Sequence, residues 1–532
     1  MADRRTRSAA SSGAWAPLAR ATFRNLSSAQ LGSNVGTWMQ SVGAQWFLLE
    51  TTRSPALVAW VQTASLLPVL LLSLVAGVLA DSADRRLLLI VTTAASTVAA
   101  GVLWLLSSTG ALTPWSLLVM TFVLGSLAAL TNPAWQAIQP ELVPREQIAA
   151  AASLSSITVN AARAIGPAVA GVLVSLNGPT LVFALDAASF VGVTGVLIWW
   201  KRPARRPALG REAFGPAAAA GLRYVRAAPG VRRILLRSAL FVIPACVLWA
   251  LLPSVADSEL GFGSSGYGLL LGVLGAGAVL GVALMPTLRR RLSPSWVLAG
   301  SAIVYAAGLI APATGSLPVV VIAFILTGLA WIATLTTLNA AMQLTLAEWV
   351  RARGMAFYLL VFLGGQGIAS FGWGIVAGYV GSQACLLIGA GLLLVVAASV
   401  PFVPLHPLTG RLDRTISALS SAAPTLVFEP DADDGPVIVA VEYVVQIGQE
   451  AEFVAAMRGV EMARRRTGAR RWRLDRSGEH ERHYREEFVV PSWGEFTRSI
   501  AGRWTGFDHE LLDAVIALTD GEPQEEHYFP AL

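Results

Sequence analysis

Cysteine occurs only twice in this chain, as Cys246 and Cys385, and lysine once, as Lys201. Both cysteines fall inside long apolar runs, which excludes a disulfide framework. No G-x-x-x-x-G-K-[ST] phosphate loop is present, so ATP drive would need another subunit. Charged residues make up 14% of the 532, too few to cover several soluble domains. The five histidines, His480 and His483 among them, lack the companion cysteines or spaced carboxylates of a metal site. No metal and no cofactor is expected.

What is abundant is apolar surface: 55% of residues are hydrophobic and the mean hydropathy is +0.60. Runs of roughly 20 apolar residues, the length a bilayer-spanning helix needs, recur twelve times. They lie near 26–49, 57–80, 87–107, 114–138, 148–176, 179–200, 233–256, 266–288, 295–314, 317–344, 354–380 and 382–402. Arg4, Arg5, Arg7, Arg20 and Arg24 precede them without an apolar core, unlike a cleavable signal. Placing this end in the cytoplasm puts Asp81–Arg86, Arg145, Lys201–Arg233, Arg289–Arg291 and Arg351–Arg353 on the same side. The opposite loops carry Arg53 and little else positive, as the positive-inside rule requires. The formal charge of +6 therefore reports membrane topology, and a nucleic-acid partner is not expected.

Asn132–Gly171 returns faintly 207 residues later: Asn132 and Gln136 match Asn339 and Gln343, Glu141 matches Glu348, and Gly171 matches Gly378. A parallel repeat of this size points to a transporter with two similar halves. On the first run Asn34, Trp38, Ser41 and Gln45 are spaced to share one face. Lipid cannot satisfy such groups. The face lines a cavity for an amphipathic ligand, or it hydrogen-bonds neighbouring helices. The fifth run aligns Ser153, Ser156, Asn160 and Arg163, and the sixth holds Asp186; Glu50 sits at a rim. Charges inside a span are functional candidates by default. Asp186, Glu50 and Arg163 are candidates for proton coupling, an outer-end cap or salt bridge being the alternative for Asp186.

Gly77-Val-Leu-Ala-Asp81-Ser-Ala-Asp84-Arg85-Arg86 resembles the signature loop between helices two and three of the major facilitator superfamily, with Asp84 where glycine is usual. The resemblance implies a cytoplasmic gate: Asp81 caps a helix of the other half, and Arg85 pairs with nearby acids. Gly77, Arg86, Glu141 and Arg145 belong to the same gating set. Gly166-Pro167 with Gly171 resembles the glycine-proline motif of superfamily exporters, where small residues permit close packing and a bend. In the superfamily, helices one, four, seven and ten line the central cavity. That adds Asn132, Gln136, Asn339 and Gln343 to the candidate substrate contacts. Phe47–Pro55, Pro140–Glu146 and Ala164–Pro167 look like the branch that includes the enterobactin efflux proteins. The implied function is proton-driven export of a small molecule across a bacterial inner membrane, with both termini cytoplasmic and lipids and protons as partners.

The expected fold is an all-α polytopic membrane protein of 12 transmembrane helices in two six-helix halves, plus a C-terminal cytoplasmic α+β domain. The divisions are a tail (1–25), a first half (26–200), a linker (201–232), a second half (233–403), a second linker (404–434) and a soluble domain (435–532). In the first linker Leu222–Arg226 suits an amphipathic helix on the anionic leaflet. In the soluble part, strands at 436–447, 470–477 and 483–490 alternate with helices at 449–465, from 493, and at 508–519. This β-α-β-β-α order reads as ferredoxin-like. It resembles the dimeric α/β-barrel domains related to antibiotic-biosynthesis monooxygenases, through Trp472, His483, Tyr484 and Trp493-x-x-Phe496. Homodimerisation through this domain is the partner call, and modification of a small aromatic compound is the enzymatic alternative. Arg464–Arg466, Arg470, Arg471, Arg473 and Arg476 form a basic cluster suited to lipid headgroups or an anion, or to a solvated edge.

Overall fold

The computed structural model describes residues 15–82, 84–200, 214–405, 413–416 and 426–531. Most of the N-terminal tail, 201–213 of the first linker, and 406–412 and 417–425 of the second lie outside the described residues. Among the described residues fourteen α-helices come first: α1 Ala21–Thr52, α2 Pro55–Ser82, α3 Arg85–Ser108, α4 Pro114–Ile138, α5 Ile148–Asn177, α6 Pro179–Trp199, α7 Phe214–Ala227, α8 Pro229–Ser258, α9 Ser264–Arg291, α10 Pro294–Ile310, α11 Leu317–Thr345, α12 Arg351–Leu359, α13 Gly365–Val380 and α14 Ser382–Ala398. A π-turn at Leu360–Gly364 joins α12 to α13.

Among the described residues, ten helices are long and apolar enough to cross a membrane. They are α2 through α6, α8 through α11, and the α12–α13 stretch. Two of the twelve expected spans fall short of that measure. Gln30, Asn34, Gln40 and Gln45 dilute α1, and α14 has 17 residues. Leu87, Val91, Val98 and Leu105 are exposed along α3, an apolar outer face that water would not favour.

The chain divides into two compact units. The first gathers Met1–Pro207, Arg237–Thr337 and Leu359–Val403. Within it, α1 packs on α5 and α6, α5 along α9, and α2 along α13. Glycines set the closest approaches. A Cβ on Gly171 would lie 2.7 Å from Gly268 Cα, and one on Gly275 2.6 Å from Ala164 Cα. Gly178 (φ 70°) and Gly381 (φ 85°) turn the chain between consecutive helices, in backbone that disfavours any side chain. Arg237, 3% exposed, donates to the carbonyls of Val396, Ser399 and Val403. It closes the C-terminal end of α14, where orphan carbonyls favour a cation.

The second unit gathers Ala208–Leu236, Leu338–Tyr358 and Pro404–Leu532. Its C-terminal part runs β1 Val437–Val444, α15 Glu450–Thr467, β2 Arg471–Arg476, β3 His483–Val490, α16 Trp493–Gly502, α17 Gly506–Ile516 and β4 Gln524–Tyr528. These strands form an antiparallel sheet in the order β2-β3-β1-β4. Val437, Val439, Val441 and Tyr443 of β1 pack with Phe453, Met457, Phe488 and Phe496 into its core. The sequence pattern missed β4, because Gln524-Glu-Glu-His-Tyr has no apolar alternation.

Two expectations change here. Protein covers part of the linker helix's Leu222–Arg226 stretch, while Arg226 is exposed. Ala220, Tyr224 and Val225 are buried, Tyr224 meets the Trp349 ring edge-on at 5.7 Å, and Arg223 pairs with Glu495 at 2.5 Å. Four of the seven arginines of the basic cluster pair with acids. Arg464 and Arg466 are buried against Glu486 and Asp508, Arg465 pairs with Glu461, and Arg473 reaches Asp475 and Glu487.

Candidate functional site

The polar face of α1 leads into the middle of the first unit. Gln45 is 4% exposed. Its Nε2 donates to the Trp249 carbonyl of α8 at 3.2 Å, and its Oε1 accepts from the Tyr267 hydroxyl of α9. One amide thus ties α1 to two helices of the other half of the sequence. Trp38, about two turns earlier, lies 6.2 Å from Trp249 between ring centroids. Trp249 continues to Trp331 of α11 at 5.7 Å, and Trp331 to Tyr305 of α10 at 6.0 Å and Phe362 of the π-turn at 5.6 Å. The other two members of the expected stripe bond within their own helix: Asn34 accepts from Gln30, and Ser41 donates to the Thr37 carbonyl.

Arg163 of α5 holds its guanidinium 5.7 Å from the Trp38 ring centroid. Its Nε and Nη1 are shielded from solvent and make no hydrogen bond. With Trp249, Tyr305, Trp331, Gly275 and Gly328 it lines a cavity of about 10 Å³, room for about one water. On the other side of α1, Asp186 is 1% exposed and its Oδ1 also lacks a partner. Its backbone sits so close to Gly36 that a Cβ there would lie 3.1 Å from Asp186 Cα. Two ionisable side chains with shielded, unbonded polar atoms thus flank one helix. Glu50 differs from them: it is exposed and accepts from Trp46 Nε1 at 2.6 Å.

Of the gating set, Arg85 and Glu141 meet in an ion pair of 2.8 Å, and Arg85 also reaches the Ala137 carbonyl. Arg86 donates to the carbonyls of Leu197 and Ile198 at the end of α6. Asp84 caps its own helix, accepting from the Arg86 and Leu87 amides; that explains an acid where the signature has glycine. Gly77 lies within α2, and the side chains of Asp81 and Arg145 lie outside what the structure describes. Gly166 abuts Trp38, where an added Cβ would meet the tryptophan Cβ at 2.7 Å. Pro167 lies inside α5, its carbonyl close to Gly268. Asn132 and Gln136 are exposed on α4. Asn339 and Gln343 belong to the second unit, where Gln343 Nε2 donates to Asn339 Oδ1 at 2.5 Å.

Sequence reasoning missed the aromatic partners Trp249, Tyr267, Tyr305 and Trp331. One signal was available: tryptophan favours membrane interfaces, so Trp249 and Trp331 deep inside apolar runs were anomalous.

In the second unit one buried carboxylate gathers several donors. Glu486 is fully buried, accepts from Tyr443, Trp472 and Arg464, and leaves no donor of that set reaching outward. Burial alone would lower the Arg464 pKa, but the Glu486 carboxylate holds it above its usual value.

The family model described as transmembrane secretion effector, of the major facilitator class, matches residues 12–529. The Staphyloferrin A transporter of Staphylococcus aureus is 32% identical over 161 residues, 30% of this chain and 41% of that protein. Macrolide efflux protein A of Streptococcus pyogenes is 27% identical over 146 residues, 27% of this chain and 36% of that one. The matches thus span less than half the length of either relative. Among solved structures, the nucleoside transporter NupG aligns with a TM-score of 0.58 at 13% identity, covering 72% of this chain and 99% of that one. A bacterial homologue of the lysosomal transporter Spinster aligns at 0.55 and 15%, covering 73% and 96%. At these identities the structures speak for the fold alone.

Proposed function

Because the chain belongs to the transmembrane secretion effector family of major facilitator transporters, we propose that it exports a small amphipathic molecule across the bacterial inner membrane by alternating access. The observation that carries this reading is the aromatic and amide centre. Trp38 and Gln45 come from the first half of the sequence, Trp249, Tyr267, Tyr305 and Trp331 from the second, so rocking of the halves opens and closes one site. The names of the relatives, a siderophore transporter and a macrolide efflux protein, favour the outward direction.

In this reading the spans number twelve, with α1 and α14 completing two six-helix halves and both termini cytoplasmic. Protons drive the cycle through Asp186, whose unpartnered carboxylate touches the helix that carries Trp38 and Gln45. Arg85 and Glu141 hold the cytoplasmic gate. The strand order β2-β3-β1-β4 supports a ferredoxin-like accessory domain, and dimerisation is its proposed role. The enzymatic alternative draws no support from the relatives.

The test compares metabolites of cells and spent medium in wild-type, deletion and Asp186→Asn strains. Export predicts a compound that falls in the medium and rises in cells on deletion, and that Asp186→Asn traps likewise. Accumulation in the opposite sense means import. Full gradient-driven efflux in Asp186→Asn removes this residue from proton coupling.

A further inference from the structure

The unsatisfied polar atoms around the central cavity are all donors. Arg163 contributes Nε and Nη1, and Trp249 contributes its indole Nε1; each is buried without a hydrogen-bond acceptor. The Tyr305 hydroxyl already donates to the Ala245 carbonyl. No carboxylate lines the cavity, and among the described residues Arg163 makes no ion pair. Asp186, the other unpartnered charge, sits against Gly36 and not among the lining residues. Buried donors without acceptors cost free energy until an acceptor arrives, and a guanidinium in an apolar surround is completed best by an anion. The walls around these donors are flat rings: Trp38, Trp249, Trp331 and Tyr305. Leu274, Ala278 and the glycines 275 and 328 complete the lining, an apolar wall without a hydrogen-bonding side chain.

We propose that Arg163 and Trp249 form the anion-binding end of the substrate site, and that the transported molecule is an organic anion with a planar apolar body. This rests on the transporter reading and narrows its substrate class. Arg163 then serves as a substrate contact, while proton coupling remains with Asp186. At about 10 Å³ the cavity admits no such body as it stands. The aromatic side chains must part as the halves rock, which uncovers ring faces and donors together.

The test titrates detergent-purified full-length protein with naphthalene-2-sulfonate and with the neutral naphthalene-2-sulfonamide, read by quenching of tryptophan fluorescence. A charge-assisted pair in a dry site predicts that wild type prefers the sulfonate by about ten- to a hundredfold. Arg163→Gln brings the two probes within about twofold, while Arg163→Lys retains part of the preference. Size-exclusion profiles confirm that each variant is folded, and the lysine variant keeps the comparison valid if glutamine disturbs packing. Equal binding of the two probes by wild type, no binding of either, or a preference that survives Arg163→Gln overturns the proposal. If export by the strain carrying the wild-type gene persists in any of those cases, the transporter reading stands and only the substrate class fails.

Discussion

At the scale of single residues, Gln45 ties the first helix to two helices of the second half of the sequence. Its amide donates to Trp249 and accepts from Tyr267, both inside the protein. Tyr267→Phe leaves Gln45 Oε1 buried without a donor, a loss of about 1–3 kcal/mol. The melting temperature of the purified protein is expected to fall. In Gln45→Leu the same tyrosine change costs less, since no acceptor is left to be orphaned; equal costs in both backgrounds would deny the coupling. Asp186→Asn is expected to raise the melting temperature even as it impairs efflux, because it removes the cost of desolvating an ionisable group in a nearly closed site. Spacing alone placed Gln45 and Trp38 on one face. It did not say which partners that face meets, because a helical stripe fixes a direction and not the residues arriving from other helices.

At the scale of elements, backbone contact between α5 and α9 governs how closely the two halves approach. Gly171 and Gly268 touch without side chains, and Gly275 lies against Ala164. Gly171→Ala forces a Cβ into the facing backbone, an overpacking that costs about 1–3 kcal/mol or more. Gly192→Ala on α6, where nothing lies within 4 Å of the added methyl, serves as its control. The expected outcome is a depressed melting temperature for the first and an unchanged one for the second, and equal effects would sink the packing argument. Gly166 and Gly171 on one side of this crossing were legible in the chain, as were nearly all helix positions, because apolar runs of this length have few other uses. The π-turn at Leu360–Gly364 was not, since its cause is packing: Gly364 closes on Leu70, and Gly367 on Leu66, of α2. Strand β4 stayed hidden for the opposite reason, being polar on both faces and held by its pairing with β1.

At the scale of the whole molecule, contact order departs from chain order. The second unit is assembled from three separated stretches, which no pattern along the chain announces. What joins them is Glu495 of α16, 3% exposed. It receives Arg503 at 2.7 Å, Arg223 of the linker helix at 2.5 Å and Arg498 at 3.3 Å. Arg503 in turn lies 4.7 Å above the Trp349 ring, on the turn between α11 and α12. Burial alone would raise the Glu495 pKa. The Arg503 hydrogen bonds and charge, then Arg223 and Arg498, outweigh it and hold the carboxyl below the usual glutamate range. A group depressed in this way stabilises the folded contacts fully at neutral pH. Its contribution fades as pH drops through the ordinary carboxylate range toward the folded value. Amide hydrogen exchange in α7 is therefore expected to be slow at neutral pH and to quicken, after correction for intrinsic rates, as the solution is acidified. Glu495→Gln removes the charge that gathers three arginines, so α7 should exchange faster at neutral pH and lose most of that acid response. Arg223→Ala should free α7 while leaving α15 and the sheet protected, since Arg464 and Glu486 hold that core independently. Uniform deprotection of the whole unit by Arg223→Ala would mean that the linker helix is integral to the domain's fold and not merely docked upon it.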